Sequence, residues 1–141
     1  MKKLLIIAIL ISGLASCKKD NNSTQNDKVS IVGKWRYKSQ RVVVYNVDGS
    51  VHSDETLTQF GDDKYLQYNE DGTGKAYDGG SDFEFTYSIK GNTETEYKTP
   101  TLPYYTPYIY TVSFTKTTLT RHIEVLPGNG TRSTYDEVLY R

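Results

Sequence analysis

The sequence predicts an all-β domain in which antiparallel strands form a sandwich or a barrel. Tyr, Thr and Val are abundant, with 13 Tyr in 141 residues, and these residue types favour pleated sheets. Short stretches that alternate between apolar and polar residues are separated by turn sequences rich in Gly, Asn and Asp. Ala76 is the only alanine after the N-terminal segment, and no stretch there has convincing helical periodicity.

The N-terminal segment predicts a secretory signal peptide over residues 1–16. Met1 is followed by two lysines, residues 4–11 are all strongly apolar, and small residues come next. The apolar stretch is shorter than the about 20 residues that a permanent membrane-spanning helix needs. No polar residue interrupts it on a helical period, which disfavours the alternative of a buried amphipathic helix.

Cys17, the single cysteine of the chain, directly follows this segment. The sequence Leu-Ala-Ser-Cys at positions 14–17 resembles the lipobox of bacterial lipoproteins. The resemblance implies that Cys17 becomes the first mature residue and carries acyl chains, palmitate among them, which together give stable membrane anchoring. Residues 18–28 contain no apolar residue, so we expect residues 17–28 to be the acylated cysteine and a disordered tether.

The residues after Cys17 favour the bacterial outer membrane. Lys18 stands where an Asp would resemble the inner-membrane retention signal of lipoproteins. Lys18, Lys19 and Asp20 partly resemble a surface-export signal, in which acidic residues follow a lysine. The sequence therefore leaves both faces open, and the domain is expected on either the periplasmic or the cell-surface side.

A single folded domain is expected over residues 29–141, because that length supports one core. Residues 82–90 form the clearest predicted strand, with Phe83, Phe85, Tyr87 and Ile89 on one face and polar residues on the other. Residues 51–63 are less regular and are left open as a lid, a short helix or an edge strand. The other predicted strands cover residues 31–47 with a bend or bulge near 39–40, 64–69, 75–78, 94–98, 108–114, 118–126 and 135–141.

The order of short motifs resembles a known family. Gly33 and Trp35 form a Gly-x-Trp motif like that of lipocalins, and an Asp-Gly-Thr-Gly turn at 71–74 and a Phe-x-Tyr-x-Ile strand at 85–89 follow. This order is similar to the lipocalin-like domain family of small bacterial lipoproteins. The resemblance implies a small antiparallel up-and-down β-barrel of about eight strands, with the Trp closing one end, often against an Arg from a late strand.

Arg121 is a charged residue at an apolar position, between Leu119 and Ile123 on one strand face. Three interpretations stay open: an interior arginine that binds a ligand carboxylate, a plug that stacks on Trp35, or a solvated residue at a strand end. Arg141 competes with Arg121 for the contact with Trp35.

A hollow barrel would be a binding module for a small amphipathic ligand. The residues expected to contact that ligand are Trp35, Phe83, Phe85, Tyr87 and Arg121. The alternative is a packed barrel that binds a protein or a glycan through the Tyr-rich segment 102–110. Tyrosines suit such surfaces because each offers a large, stiff ring with a polar tip. The residues expected in this interaction loop are Tyr104, Tyr105, Tyr108 and Tyr110.

Composition excludes several classes of function. Lys and Arg number 17 and Asp and Glu also number 17, so the chain has no basic footprint for nucleic acid. One cysteine and two distant histidines, His52 and His122, show no metal-ligand spacing. No phosphate-binding loop or nucleophile elbow occurs, so we expect a protein without enzyme activity, metal or cofactor.

Overall fold

A computed structural model describes residues 29–99, 106–128 and 130–141. The predicted signal peptide, Cys17 and the tether lie outside these described residues. The described part contains nine strands: β1 (Gly33–Tyr45), β2 (Val51–Leu57), β3 (Tyr65–Tyr68), β4 (Thr73–Tyr77), β5 (Asp82–Lys90), β6 (Thr93–Thr99), β7 (Tyr108–Phe114), β8 (Thr118–Val125) and β9 (Arg132–Tyr140). It contains no helix that is long and apolar enough to cross a membrane.

Eight of the nine strands close into an antiparallel barrel. Each strand from β3 to β9 pairs with the next along the chain, and β1 pairs with β9 on one edge and with β3 on the other. This confirms the prediction of a small all-β barrel of about eight strands with up-and-down order. Every strand of the described residues lies within residues 29–141, so a chain that begins at Lys18 contains all eight barrel strands.

Strand β1 has 13 residues and is irregular close to the bend or bulge that the sequence predicts near residues 39–40. The register with β9 shifts between Tyr37 and Ser39. The first part of β1 pairs with β3, whereas residues after the bend pair with β2 in a hairpin that extends the sheet. The sequence did not assign a structure to residues 51–63. The first part of this region forms strand β2, which lies at the end of the sheet order.

The turn before β4 depends on glycine. Gly72 has a φ of 81°, a backbone conformation that side chains disfavour. A Cβ at Gly74 would collide with the ring of Phe85 and approach the backbone oxygen of Gln67 to 2.8 Å. The Asp71 carboxylate accepts hydrogen bonds from the backbone N–H and the hydroxyl of Thr73, which fixes the turn. The missing side chain at Gly74 thus makes room for the ring of Phe85 in the core.

One end of the barrel is packed around Trp35. Its side chain is fully buried among Tyr68, Phe85, Leu119 and Leu139, and its indole N–H donates to the Ile31 carbonyl at 2.6 Å. These large side chains pack against one another at this end of the barrel.

Arg141 covers the packed end. Its guanidinium lies 4.3 Å from the centre of the Trp35 ring and donates to the backbone oxygens of Ser30 and Val32. Arg141 therefore makes the contact for which Arg121 was the other candidate. The plug interpretation of Arg121 is wrong because a different arginine occupies that place.

The side chains of β8 alternate as the sequence predicts. Leu119, Arg121 and Ile123 point inward and are buried, whereas Thr120 and His122 are exposed. The interpretation of Arg121 as a solvated residue at a strand end is also wrong, because its side chain is 2% exposed.

Candidate functional site

Three carboxylates surround Arg121 inside the barrel. Its Nε lies 3.2 Å from Glu94 Oε2, its Nη2 lies 2.7 Å from Glu96 Oε2, and its Nη1 lies 3.2 Å from Glu137 Oε2. All four residues are buried. We call these four residues the Arg121 cluster. Three of its members are acidic and one is basic, so the fully ionised cluster carries an excess of two negative charges.

The barrel geometry brings these residues together from three strands. Glu94 and Glu96 are two positions apart on β6, so both point inward. Glu137 on β9 lies directly opposite Arg121 on β8 in the strand register. Tyr110 on β7 supplies the ring on which Arg121 lies, 3.6 Å from the ring centre. The guanidinium is therefore held on several sides, which keeps it charged in a buried place.

Burial changes the acidity of the cluster. Loss of solvent raises the pKa of Glu94 and of Glu96, and the positive charge of Arg121 opposes but does not cancel this rise. Loss of solvent also acts to lower the pKa of Arg121, but Tyr68 and the carboxylates Glu94 and Glu137 raise it well above its usual range. Arg121 thus keeps its positive charge firmly, whereas Glu94 and Glu96 keep their negative charges weakly.

Two buried polar atoms at the cluster make no hydrogen bond of good geometry within the described part of the chain. They are Glu94 Oε1 and the Tyr68 hydroxyl oxygen. Glu94 is 0% exposed and Tyr68 is 1% exposed. Leaving a buried polar group unpaired costs about 1 to 3 kcal/mol. The two groups nevertheless act on each other, because the interaction between them raises the pKa of Tyr68 and acts to lower that of Glu94.

A pocket of about 330 Å³ adjoins the cluster, and Trp35 is not among the residues that line it. Glu96, Arg121 and Glu137 contribute to its wall, and Gln40 donates a hydrogen bond of 3.0 Å to Glu137 Oε1. Its aromatic lining consists of Tyr37, Phe83, Tyr108, Tyr110 and Tyr135, and its aliphatic lining consists of Leu66, Ile123 and Val125. The volume is at the lower end of the range for small-molecule sites.

Lys98 places a cation at the edge of this pocket. Its ammonium group lies 4.7 Å from the ring centre of Phe83 and 5.2 Å from that of Tyr108. Positive groups are attracted to the faces of aromatic rings. The rings at this edge of the pocket therefore already present their faces to a positive charge.

A second depression, of about 660 Å³, lies over β7, β8 and β9. It is larger, but many of its lining side chains face outward and are exposed, among them Thr111, Ser113 and Thr120. A ligand there would stay largely in water. We therefore take the inner pocket as the candidate site, because it combines enclosure with converging polar groups.

The structure separates the five predicted ligand-contacting residues. Phe83 and Arg121 line the inner pocket. Trp35, Phe85 and Tyr87 instead belong to the packed end, where Tyr68 contacts the rings of both Phe85 and Tyr87. The expectation that all five surround one ligand is corrected, because large side chains fill that end of the barrel.

Arg121 also differs from its predicted role. The expectation was an arginine that binds a carboxylate of the ligand. Carboxylates of the protein itself occupy its Nε, Nη1 and Nη2 atoms. Its alternation with apolar neighbours on β8 was a sufficient signal for burial, but its partners lie on other strands.

The predicted interaction loop is only partly described. Tyr104 and Tyr105 lie outside the described residues. Tyr108 and Tyr110 belong to strand β7, where they are half-buried and line the inner pocket. The expectation that these two residues belong to an exposed interaction loop is wrong, because their alternation on β7 points both rings inward.

Within the described ranges, no group of His, Cys, Asp and Glu side chains is arranged to hold a metal ion.

Comparison with known proteins gives one similar solved structure to report. It is a lipocalin-like protein from Bacteroides uniformis, 19% identical, with the match covering 74% of this chain and 94% of that chain at a TM-score of 0.40. No family model and no curated protein matches the chain. The strand pairing described above establishes the barrel independently of this similarity.

Proposed function

We propose that this protein is a non-catalytic binding module that takes a small amphipathic molecule into the inner pocket. The observation that carries the proposal is the division of the barrel into a packed end and a hollow end. The hollow end combines aromatic and aliphatic walls with buried charged groups. Such a mixture suits a ligand with an apolar body and one polar group.

Native mass spectrometry of protein taken directly from cells tests this proposal. We expect residues 18–141 to carry a co-purifying small molecule, or to gain mass with a panel of alkyl amines, alcohols and fatty acids. Val125→Trp should abolish the added mass, because Val125 lines the pocket and a larger side chain fills it. Leu126→Trp is the matched control, since Leu126 is 71% exposed and lies outside the pocket lining.

A bare mass from cells together with no shift against the whole panel would contradict the binding proposal. It would favour the alternative module that binds a protein or glycan through the segment with Tyr104 and Tyr105. The inward orientation of Tyr108 and Tyr110 supports the pocket over that alternative, because two of the four tyrosines expected in the interaction loop line the pocket instead.

We further propose that the barrel is attached to the bacterial outer membrane through acyl chains on Cys17. The support is the sequence alone: a signal peptide, the lipobox-like residues 14–17 and a polar tether. The tether would let the barrel move away from the lipid surface while it stays attached.

Cys17→Ala is expected to abolish fatty-acid labelling of the protein. Without the thiol no acyl chain can be attached, so the chain should remain unprocessed or become soluble. Metabolic labelling with a palmitate analogue and membrane fractionation measure both effects. Ser16→Ala is a control that leaves the thiol in place. A Cys17→Ala protein that is still labelled and still fractionates with the outer membrane would contradict the anchor.

A further inference from the structure

We infer that the ligand reaches the inner pocket through the side of the barrel, between β7 and β8. This inference rests on the proposed function, because it concerns the route to the pocket where we expect the ligand to bind. Three features carry it: the pairing of the two strands stops early, the same residues line the pocket and a groove outside it, and the flank of that groove is apolar.

The pairing between β7 and β8 stops beside the pocket. Residues 111–114 of β7 pair with residues 119–122 of β8. Among the described strands, residues 108–110 then pair only with β6, and residues 123–125 pair only with β9. Two strand edges therefore face each other in the barrel wall without a ladder between them. We call this opening, between residues 108–110 and 123–125, the wall gap.

A groove of about 450 Å³ follows the outer side of the wall gap. Tyr108, Ile123 and Val125 line this groove and also line the inner pocket. A residue that borders both cavities stands between them, so these three residues form the partition. The pocket is separated from the outside here by side chains, with no ladder of backbone hydrogen bonds between β7 and β8.

The wall opens more easily at the wall gap than between paired strands. Where residues 111–114 pair with residues 119–122, the strands can part only if their ladder hydrogen bonds break, which leaves backbone groups unsatisfied. At the wall gap there is no such ladder to break. Rotation of the partition side chains is a small and fast motion compared with the separation of paired strands.

The flank of the groove suits the apolar body of an amphipathic ligand. Ile109 lines the groove and is 57% exposed, and Pro107 lies beside it. Glu124 is the one charged residue among the described residues that line the groove. Apolar surface outside the wall and apolar partition residues inside it give the ligand a continuous apolar path to the pocket.

A removable cross-link across the wall gap tests the inference in residues 18–141, which contain no cysteine. Ile109→Cys with Glu124→Cys places one thiol on each side of the gap. A bifunctional methanethiosulfonate reagent joins the two thiols, and a reductant releases them. Stopped-flow fluorescence with N-phenyl-1-naphthylamine, an uncharged amphipathic probe, measures entry and exit. We expect the cross-link to slow both rates at least tenfold and to leave the affinity unchanged, because it obstructs the route and not the pocket.

Ser113→Cys with Thr120→Cys is the matched control, since these residues lie opposite each other where the pairing is intact. Its cross-link should change neither rate, and mass spectrometry verifies each cross-link. Equal rates with the wall gap cross-linked and released would overturn the inference and leave the pocket proposal standing. If a molecule of the native mass spectrometry panel binds and the probe does not, exchange of that molecule gives the same two rates. Failure of the probe and of the whole panel, with a bare mass from cells, would instead overturn the binding proposal itself.

Amide hydrogen exchange tests the wall gap without any variant. The amides of residues 108–110 and 123–125 that point into the gap should exchange at least tenfold faster than the ladder amides of residues 112–114 and 119–121. Nuclear magnetic resonance resolves the two sets of amides. Equal protection of both sets would mean that β7 and β8 pair along their whole length, and it would overturn the inference.

Discussion

Arg121→Met is expected to destabilise the barrel by about 3 to 5 kcal/mol at neutral pH, because removing one partner of a buried ion pair leaves the other charge uncompensated. Here one substitution leaves three buried carboxylates without their shared cation. Methionine has a similar length, so the lost charge should lower the free energy of unfolding more than the lost packing does. Urea unfolding followed by circular dichroism measures the free energy of unfolding.

The pH dependence of this loss has a definite sign. The folded-state pKa values of Glu94 and Glu96 are raised above the ordinary 4.5, and removal of Arg121 raises them further. Groups of this kind contribute stability that is present below the unfolded pKa and lost as pH rises through the folded pKa. The difference between Arg121→Met and wild type should therefore be largest near pH 8 and smallest near pH 4.

A second substitution serves as the control for Arg121→Met. Adding Glu94→Gln to Arg121→Met should recover part of the lost stability at pH 8, since it removes one uncompensated charge. Glu84→Gln, on the outer face, should recover nothing. Loss of the same size at pH 4 and pH 8, with no recovery by Glu94→Gln, would mean that packing and not charge explains the role of Arg121.

Trp35→Ala is the substitution with the next largest expected effect, about 3 to 5 kcal/mol of lost stability. The side chain is fully buried, donates a hydrogen bond to Ile31, and supports the guanidinium of Arg141. Its loss would leave a cavity at the packed end and expose the core to solvent. Thermal unfolding by circular dichroism measures the effect without relying on the fluorescence of the removed indole.

Two further variants separate the contributions at Trp35. Trp35→Phe keeps most of the apolar volume and should cost less than half as much as Trp35→Ala. Tyr140→Ala removes an aromatic ring that is 45% exposed on β9 and should cost under about 1 kcal/mol. A Trp35→Ala protein as stable as wild type would contradict the packed end.

The fold was largely predictable because the signals for it are local. Alternation on β5, β7 and β8 gives the inward faces directly, and turn residues such as Gly72 mark the ends of the strands. The contact between Trp35 and Arg141 was also one of the alternatives that the sequence left open. For β2 the sequence left a lid, a short helix and an edge strand open, because the residues of this strand are almost all exposed and carry no alternation.

The site was much less predictable because it is built from distant positions. The inward position of Arg121 follows from its apolar neighbours, but its partners Glu94, Glu96 and Glu137 come from β6 and β9. Glutamates alternating with threonines in β6 look like a solvated face in the sequence. Only the closure of the barrel shows that this face is the interior. The signal in the sequence is that a buried arginine needs acidic partners, and Glu94 and Glu96 stand at alternating positions of one strand.

The central claim is that the Arg121 cluster lies inside the barrel at the floor of a pocket. Nuclear magnetic resonance titration of the glutamate side-chain carboxyl carbons tests it most directly, with Glu94→Gln and Glu96→Gln assigning the signals. We expect the signals of Glu94 and Glu96 to titrate above the ordinary glutamate pKa of 4.5. If both carboxyls titrate at the ordinary value, the cluster is solvated and the account is wrong.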